Sequence, residues 1–471
     1  MQTIFRNKKL NRNGFPNLIS GIVLAFLFFQ TSFAFTKGYE SLPYDIDSNH
    51  SSDNVCGSSN NPVGTSPDES VNQTKKQLID ELEHGTISKI YRNTYHSLTS
   101  RMKENGYLQE SLTGAYRGEF PRTIGGYVSL LMETEDYLRI QRSLEFVFES
   151  MIRNHLSKVP HVIDSLKISA DGTVNQWFET EDQADGRAHV VMAYARFCLK
   201  KNQPEFENKY YEIAKKEVMS FLDQPYFYYI YRSNFSCNAI HLVFNCALEH
   251  SREGRMWSVF DILTQSFVGA AAQSMMQLAE RRNDTELYEY LKTRLEVLKD
   301  GVDKHLTRVV DGKKVYLEMR LPDGNWGQPF TGMGWLCYGP VAAQWEPLDR
   351  QVLRNTINLL KKTLFIHDEL DNNLKYLAAE YDEKGSVTKL VIGKAIGWDI
   401  EYCRQEGEYD KILEWFKFLN KYHADKPIYV ESMFFKGGKW VQADCGNGEQ
   451  SVWWCFAIAR LRKDLGLPAV N

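Results

Sequence analysis

The stretch Gln183-Ala184-Asp185-Gly186-Arg187-Ala188-His189 leads directly into the apolar run 190–199, which reads VVMAYARFCL. An acid, a glycine, a guanidinium and an imidazole therefore stand at the start of a strongly apolar segment. A helix without a polar face must be covered on all sides. The stretch therefore predicts an inner helix of a layered helical protein, with polar groups gathered at its amino-terminal end.

Two kinds of helix alternate along the chain after residue 74. One kind is amphipathic, with apolar residues at three- and four-residue spacing and charged residues between them. The other kind is short, apolar nearly all round and rich in small residues. The amphipathic segments are 75–103, 136–155, 204–222, 285–305, 348–365 and 409–423, and the apolar segments are 123–132, 186–199, 257–278, 332–344, 395–404 and 450–461.

This alternation predicts an all-α fold of the (α/α)6 toroid type, in which six outer helices wrap six inner ones. Residues 74–471 would form this single barrel. The alternative is an open helical solenoid, but solenoids have shorter and more uniform repeats. Here the long insertions all precede inner helices, which favours the closed barrel.

The insertions themselves have strand-like patterns. Apolar and polar residues alternate around Gly, Asp or Asn turns, which is typical of short β-hairpins. We expect these hairpins at one rim of the barrel, above the inner helices. The segments are 227–232, 239–244, 307–319, 376–392 and 428–441.

The amino-terminal region predicts export. Residues 1–34 combine a basic start, an apolar run at 18–29 and a small-residue cleavage site, as in a secretory signal peptide. An uncleaved membrane anchor is the alternative, although the run is short for a membrane span. Residues 35–73 are polar and predict a flexible leader. The mature protein would be periplasmic or secreted, without stable membrane insertion.

Composition excludes several function classes. The formal net charge of −4 would fall to −8 on loss of the four positive charges in residues 1–34, and no basic patch suggests nucleic-acid binding. The eight cysteines match no zinc spacing, so we expect no metal and no cofactor. Cys198, Cys337, Cys403 and Cys455 are expected to be buried, and pairing of Cys237 with Cys246 stays open.

The starts of the inner helices hold the residues suited to chemistry. Helix amino termini present free N–H groups and partial positive charge. Tryptophan faces stack on sugar rings, while carboxylates, amides and Arg bind hydroxyl groups, so the set predicts a carbohydrate pocket. The residues predicted to bind substrate are Glu119, Arg122, Trp177, Gln183, Arg187, His189, Trp257, Trp326, Gln328, Trp335, Tyr338, Trp398 and Asp444.

Asp185 is the predicted general acid/base, with Asp399 and Glu449 as further catalytic carboxylates. A two-carboxylate hydrolase takes its second group from such a set. Simpler interpretations exist: Asp185 as a helix cap, Arg187 in a salt bridge, His189 as a hydrogen-bonded helix residue and the tryptophans as core.

On these residues the chain resembles the six-hairpin glycosidases, in particular the unsaturated glucuronyl and rhamnogalacturonyl hydrolases. Their catalytic acid lies in a Trp-Ala-Asp-Asp type segment, and Gln183 to Gly186 falls in register with it. The resemblance implies that Asp185 protonates an unsaturated uronic acid and directs its hydration, and that a nearby cation, Arg187, holds the uronate. Gln183 and Gly186 depart from the pattern, so a related glucuronidase family is also compatible.

The sequence therefore predicts an exported glycoside hydrolase that acts on oligosaccharides containing uronic acid. One alternative is a polysaccharide lyase on the same toroid, which would use His189, Arg187, Tyr338 or Asn325 for β-elimination. The other is a glycan-binding protein without catalytic activity.

Overall fold

The computed structural model describes residues 67–112, 116–168, 174–179, 183–223, 227–228, 235–236, 241–248, 257–320, 334–379 and 386–470. The predicted signal peptide at 1–34 lies outside these residues, as does nearly all of the predicted leader. Helix α1 (Pro67–Glu83) begins inside the stretch assigned to the leader. Proline is well suited to the first position of a helix, and Asp68 and Glu69 follow it in the first turn.

Twelve further segments of helix alternate between an outer and an inner layer, which confirms the predicted order. The outer helices are α2 (Thr86–Ser100), α4 (Tyr137–Arg153), α6 (Pro204–Leu222), α8 (Thr285–His305), α10 (Arg350–Thr363) and α12 (Tyr409–Tyr422). The inner helices are α3 (Pro121–Glu133), α5 (Ala184–Lys200), α7 (Ile262–Arg282), α9 (Gly339–Ala343), α11 (Gly393–Glu406) and α13 (Gly448–Asp464).

The inner helices form a closed ring. Each packs against the next one, from α3 through α5, α7, α9 and α11 to α13, and α13 packs back against α3. The outer helices cover the ring, and their apolar faces are buried against it. The fold is therefore an (α/α)6 toroid, with all six inner helices running in the same direction.

Three helix predictions need correction at their ends. The segment 75–103 is two helices, because Gly85 interrupts it and serves as the amino-terminal cap of α2. Residues Trp257–Asp261 form a strand, and Asp261 then caps α7 by accepting a hydrogen bond from the Thr264 N–H. The fourth inner element is a 3₁₀ helix (Gly334–Tyr338) before α9, where Pro340 lacks the N–H that a continuous α-helix needs.

Short antiparallel strands fill the connections from outer to inner helices, as predicted for the rim. The hairpins β7–β8 (Thr307–Val310, Lys313–Tyr316) and β13–β14 (Val430–Lys436, Lys439–Cys445) match two predicted segments. Others differ. The segment 376–392 is not one hairpin, because β11 (Lys375–Leu377) pairs with β10 (Phe365–His367) and β12 (Leu390–Ile392) pairs with β13. The hairpin β1–β2 (Val162–Ile168, Val174–Glu179) was not predicted.

The remaining strands lie around α7. The pair β3–β4 (Phe227–Tyr228, Phe235–Ser236) begins within the predicted segment 227–232, whose remaining residues lie outside the described part. Strand β5 (Asn245–Leu248) starts after the predicted segment 239–244, of which the described residues 241–244 form no strand. It pairs with β6 (Trp257–Asp261), which pairs in turn with β9 (Met319–Arg320).

Cysteines behave as small apolar side chains in this core. Cys198, Cys337, Cys403 and Cys455 are buried free thiols, as predicted. Cys237 lies outside the described residues, so its pairing with Cys246 stays a prediction. Within the described ranges, no helix has the length and apolar character needed to cross a membrane.

Candidate functional site

The amino-terminal ends of four inner helices meet at one place on the rim. Gly186 on α5 lies against Arg122 on α3, where a methyl group on Gly186 would stand 3.6 Å from the Arg122 backbone nitrogen. Glu449 on α13 reaches both Arg122 and Lys394 of α11. We call Arg122, Asp185, Lys394 and Glu449 the rim cluster.

Two ion pairs organise the rim cluster. The Lys394 Nζ lies 2.8 Å from Oε1 of Glu449, and the Arg122 Nε lies 3.4 Å from Oε2 of the same carboxylate. The Lys394 backbone N–H donates to Gln450 Oε1 at 2.7 Å, which ties the starts of α11 and α13 together. Glu449 is therefore held by two cations and links the starts of α3 and α11.

Asp185 is the second carboxyl group of the rim cluster. It lies in the first turn of α5 rather than at the cap, which is Gln183, and its Oδ1 accepts the Gly186 N–H at 2.9 Å. Burial raises the pKa of Asp185 above its ordinary range, although Arg122, the Gly186 N–H and Lys394 all lower it, while Glu449 adds to the rise. Asp185 as a whole is 6% exposed, so its carboxyl group is buried.

Sequence reasoning missed two further carboxylates beside the cluster. Asp261 caps α7, and burial raises its pKa to about 7, with Asp185 contributing to the rise. Glu110 lies in the irregular segment before α3, and burial raises its pKa to about 7 as well. The available signal for Asp261 was its place ahead of the apolar run that begins at Ile262, since Asp is one of the preferred cap residues.

Arg187 does not belong to the pocket. Its Nε and one terminal nitrogen both lie 2.8 Å from Oε2 of Glu217 on the outer helix α6, and the same terminal nitrogen donates to Ser220 at 2.8 Å. The residue is 1% exposed. The expectation that Arg187 holds a uronate is therefore wrong, and the salt-bridge alternative describes this residue.

Asp399 and Tyr338 also face away from the rim cluster. The Tyr338 hydroxyl donates to Asp399 Oδ1 at 2.6 Å, and the Trp415 indole N–H donates to Oδ2 at 2.7 Å. Trp415 belongs to the outer helix α12, so this aspartate lies between the two layers. Its assignment as a catalytic carboxylate, and that of Tyr338 as a substrate contact, do not fit this position.

Trp335, Trp398 and His189 form the floor beneath the cluster rather than open stacking faces. The Trp335 and Trp398 rings lie 5.9 Å apart, and Lys394 Nζ sits 4.8 Å from the centre of Trp335. The His189 ring stacks on Phe267 at 3.7 Å. Burial lowers the pKa of His189 well below its usual range, and Arg122 acts in the same direction, so the imidazole is neutral.

The three other described candidates have local structural contacts. Glu119 is buried and its Oε2 accepts the Leu108 N–H at 2.8 Å, while burial raises its pKa well above the ordinary range. Gln183 is the buried amino-terminal cap of α5. Asp444 is the next-to-last residue of β14, and its Oδ1 accepts the Ser111 hydroxyl at 2.8 Å.

Four predicted aromatic or amide contacts cannot be placed. Trp177 lies in β2 and Trp257 begins β6, but their side chains lie outside the described part of the structure. Trp326 and Gln328 fall outside the described residues altogether. Their roles stay predictions.

Across the described ranges, no group of three His, Cys, Asp or Glu side chains is arranged to hold a metal ion. The rim cluster itself brings together two carboxyl groups, Asp185 and Glu449, and two basic side chains, Arg122 and Lys394.

Comparison with known proteins shows which solved structures share this fold. No family model matches the chain, and no curated protein matches it. Solved structures do match. An α-mannosidase of Streptococcus pneumoniae, in complex with α-1,6-mannobiose, superposes with a TM-score of 0.59 at 10% identity, over 84% of this chain and 98% of that one.

Other matches share the architecture. A bacterial glucoamylase bound to acarbose gives a TM-score of 0.55 at 14% identity, over 84% of this chain and 60% of that one. A D-mannose isomerase gives a TM-score of 0.51 at 11% identity, over 81% of this chain and 98% of that one. This chain therefore has the six-hairpin fold of solved glycosidases. The isomerase shows that the same fold also serves other sugar chemistry, so activity must be argued from the site.

Proposed function

We propose that this protein is a glycoside hydrolase in which Asp185 is the general acid and Glu449 the second carboxylate. The observation behind the proposal is the different environment of these two groups on α5 and α13, two inner helices that both pack against α3. Burial raises the pKa of Asp185, while the Glu449 carboxylate lies 2.8 Å from Lys394 Nζ and 3.4 Å from Arg122 Nε. Two carboxyl groups in contrasting environments within one site are the usual basis of acid and base assignments.

The proposed chemical roles follow from these environments. Asp185 donates its proton to the glycosidic oxygen as the bond from that oxygen to the anomeric carbon breaks. Glu449 stabilises the positive charge that develops at the anomeric carbon. A water molecule then adds to that carbon, and the proton that the water releases regenerates the acid form of Asp185. The fold supports this assignment by analogy, since the matching mannosidase and glucoamylase are glycosidases.

The charge of the rim cluster favours an anionic sugar. Arg122 and Lys394 supply two positive charges, and Glu449 supplies one negative charge when Asp185 holds its proton. The excess positive charge suits the carboxylate of a uronic acid. Arg122 replaces Arg187 as the uronate partner, because an Arg fork binds carboxylates through two parallel hydrogen bonds. We therefore propose uronic-acid-containing oligosaccharides as substrates, and the signal-like residues 1–34 support export.

The lyase alternative is weaker on these contacts. Of its candidate groups, Arg187 is paired with Glu217 and Tyr338 with Asp399, and His189 is stacked on Phe267. Asn325 lies outside the described residues. A base for β-elimination must reach the proton beside the uronate, and the Arg187 and Tyr338 side chains are directed into the protein between the two helix layers.

The test compares Asp185→Asn with Asp80→Asn, an exposed helix position, on a panel of saturated and unsaturated uronides and neutral glycosides. We expect turnover by the wild type and by the Asp80 variant and loss of turnover in a folded Asp185→Asn protein. An unsaturated-uronide hydrolase removes near-ultraviolet absorbance, whereas a lyase creates it. Full activity of folded Asp185→Asn would reject its role, and binding without turnover by the wild type would indicate a glycan-binding protein.

A further inference from the structure

Glu110 joins the first and last inner helices at the rim. Its Oε1 accepts the Glu449 backbone N–H at 2.7 Å, and its Oε2 accepts the Thr123 hydroxyl at 2.7 Å. Its backbone carbonyl accepts the Gly448 N–H at 2.6 Å. Thr123 belongs to α3 and Glu449 to α13, so one buried carboxylate spans the seam where the ring closes.

These contacts fix the two partners of an ion pair in the rim cluster. The amide that Glu110 holds belongs to Glu449 itself. The hydroxyl that it holds belongs to Thr123, the residue after Arg122. The Arg122–Glu449 pair, at 3.4 Å, is therefore positioned by a group that bonds to the Glu449 backbone and to the residue next to Arg122.

Helix capping accounts for only part of the Glu110 contacts. Asn447 accepts the Gln450 N–H of α13 at 3.2 Å and Glu110 accepts a further free N–H of the same helix end, but the other Glu110 oxygen accepts from Thr123 on α3. Burying a carboxylate is costly compared with a neutral acceptor, and here burial raises the pKa of Glu110 to about 7. The charged and titratable groups around it are Glu449 on α13, Arg122 on α3, Glu119, and Arg101, whose guanidinium donates to the Glu110 carbonyl at 3.1 Å.

We propose that Glu110 is a positioning residue for the rim cluster, holding Glu449 and Arg122 in the arrangement that hydrolysis requires. This inference rests on the proposed function. It predicts that changes at Glu110 act on turnover more than on substrate affinity, because Glu110 lies behind the charged groups rather than against the sugar.

The first test separates hydrogen bonding from charge. Glu110→Gln keeps an acceptor for the Glu449 N–H and a donor for Thr123, whereas Glu110→Ala removes both. We expect Glu110→Ala to lower kcat by about 10- to 100-fold, the usual cost of a small misplacement, with KM within about twofold. Glu110→Gln should retain most of the wild-type kcat. Glu104→Gln, on the exposed segment after α2, is the matched control.

A second pair keeps the proposal testable if Glu110→Ala fails to fold. Thr123→Val removes the hydroxyl that Glu110 accepts, while Thr123→Ser keeps it. We expect kcat to fall in the valine variant and to stay near the wild-type value in the serine variant. Equal kcat in Thr123→Val and wild type would contradict the proposal.

The pH dependence of stability gives a readout independent of turnover. Since the folded pKa of Glu110 is raised from an ordinary value near 4.5 to about 7, its ionisation disfavours the folded state. The Tm of Glu110→Gln relative to wild type should therefore rise between these pH values and level off above pH 7. Unchanged kcat in a folded Glu110→Ala protein overturns the positioning role alone, whereas a wild type that turns over no glycoside overturns the proposed function with it.

Discussion

The guanidinium of Arg187 and the carboxylate of Glu217 form a fully buried ion pair between α5 and α6, each side chain being 1% exposed. Glu217 Oε1 also accepts the Val159 N–H at 2.6 Å, so both oxygens are satisfied. The pair links an inner helix to the outer helix that follows it. Arg187 is therefore part of the barrel wall, two residues along the chain from the proposed acid.

Loss of this arginine should reduce stability rather than affinity. Arg187→Met leaves the Glu217 charge buried without its partner, and breaking a buried pair in this way costs about 3–5 kcal/mol. Urea unfolding should show a lower midpoint than wild type. The double variant Arg187→Met/Glu217→Leu should recover much of the loss, because no uncompensated charge remains. A wild-type midpoint for Arg187→Met would contradict the structural role.

Loss of Arg122, in contrast, should reduce the affinity for a uronide substrate. Arg122→Met removes the cation that we propose for the uronate, and hydrogen bonds to charged groups contribute about 1.5–3 kcal/mol. KM for a uronide should rise by at least about tenfold, since 1.4 kcal/mol corresponds to about a tenfold change. KM for a matched neutral glycoside should change far less. The exposed Arg117→Met variant is the control, and an equal change on both substrates would reject the uronate role.

Helical geometry explains why one assignment could have been corrected from the sequence. Residues two apart are separated by about 200° around a helix and do not share a face. If Asp185 points into the pocket, Arg187 points away from it. In the same way Lys394 and Trp398 are four apart and share a face, whereas Asp399 is directed to the outer layer. The alternation of helix types predicted the fold because the burial pattern of each helix is encoded in the spacing of its own apolar residues.

Glu110 could not be predicted in this way. It lies in an irregular segment without periodicity, and its partners are the adjacent α3 and a helix more than three hundred residues later in the chain. No local pattern indicates a contact of that sequence separation. Asp185 and Glu449, in contrast, lie at helix starts, and the convergence of inner helix starts follows from the ring itself.

Asp261 should make stability decrease as the pH rises. Burial raises its folded pKa from 3.8 to about 7, so the unfolded chain ionises first and is favoured between these values. Each pKa unit corresponds to about 1.4 kcal/mol. Asp261→Asn keeps an acceptor for the Thr264 N–H and removes the ionisation. Its Tm relative to wild type should therefore rise from pH 4 to pH 7, on the order of several degrees.

Asp284 is a control for this experiment, because its effect on the pH dependence of stability should have the opposite sign. It caps α8, and hydrogen bonds from Lys215 and the Leu287 N–H outweigh the effect of partial burial, so its pKa is lowered. Its stabilisation is present above the unfolded pKa and is lost as the pH falls. Asp284→Asn should therefore be less stable than wild type at neutral pH. A flat difference for Asp261→Asn across the range would show that Asp261 is not a buried acid.

Two glycines should differ sharply in their tolerance of a methyl group. A methyl on Gly397 of α11 would lie 2.8 Å from the Trp454 Cα and 2.9 Å from the Trp453 carbonyl oxygen, both backbone atoms of α13. Because backbone atoms cannot rotate away, Gly397→Ala must push the two helices apart, at a cost of about 1–3 kcal/mol or more. The displacement would also separate Lys394 from Glu449, so turnover should fall along with the Tm.

Gly186→Ala is the matched substitution on α5. The nearest atom to its methyl would be the Arg122 nitrogen at 3.6 Å, an ordinary contact, and alanine favours the helix by about 0.5–1 kcal/mol. This variant should keep or raise the Tm and keep kcat, since the Gly186 N–H that Asp185 accepts is retained. An unchanged Tm in Gly397→Ala would show that α11 and α13 are not packed as closely as the structure describes. A large loss of kcat in Gly186→Ala alone would instead show that substrate occupies the space beside Arg122.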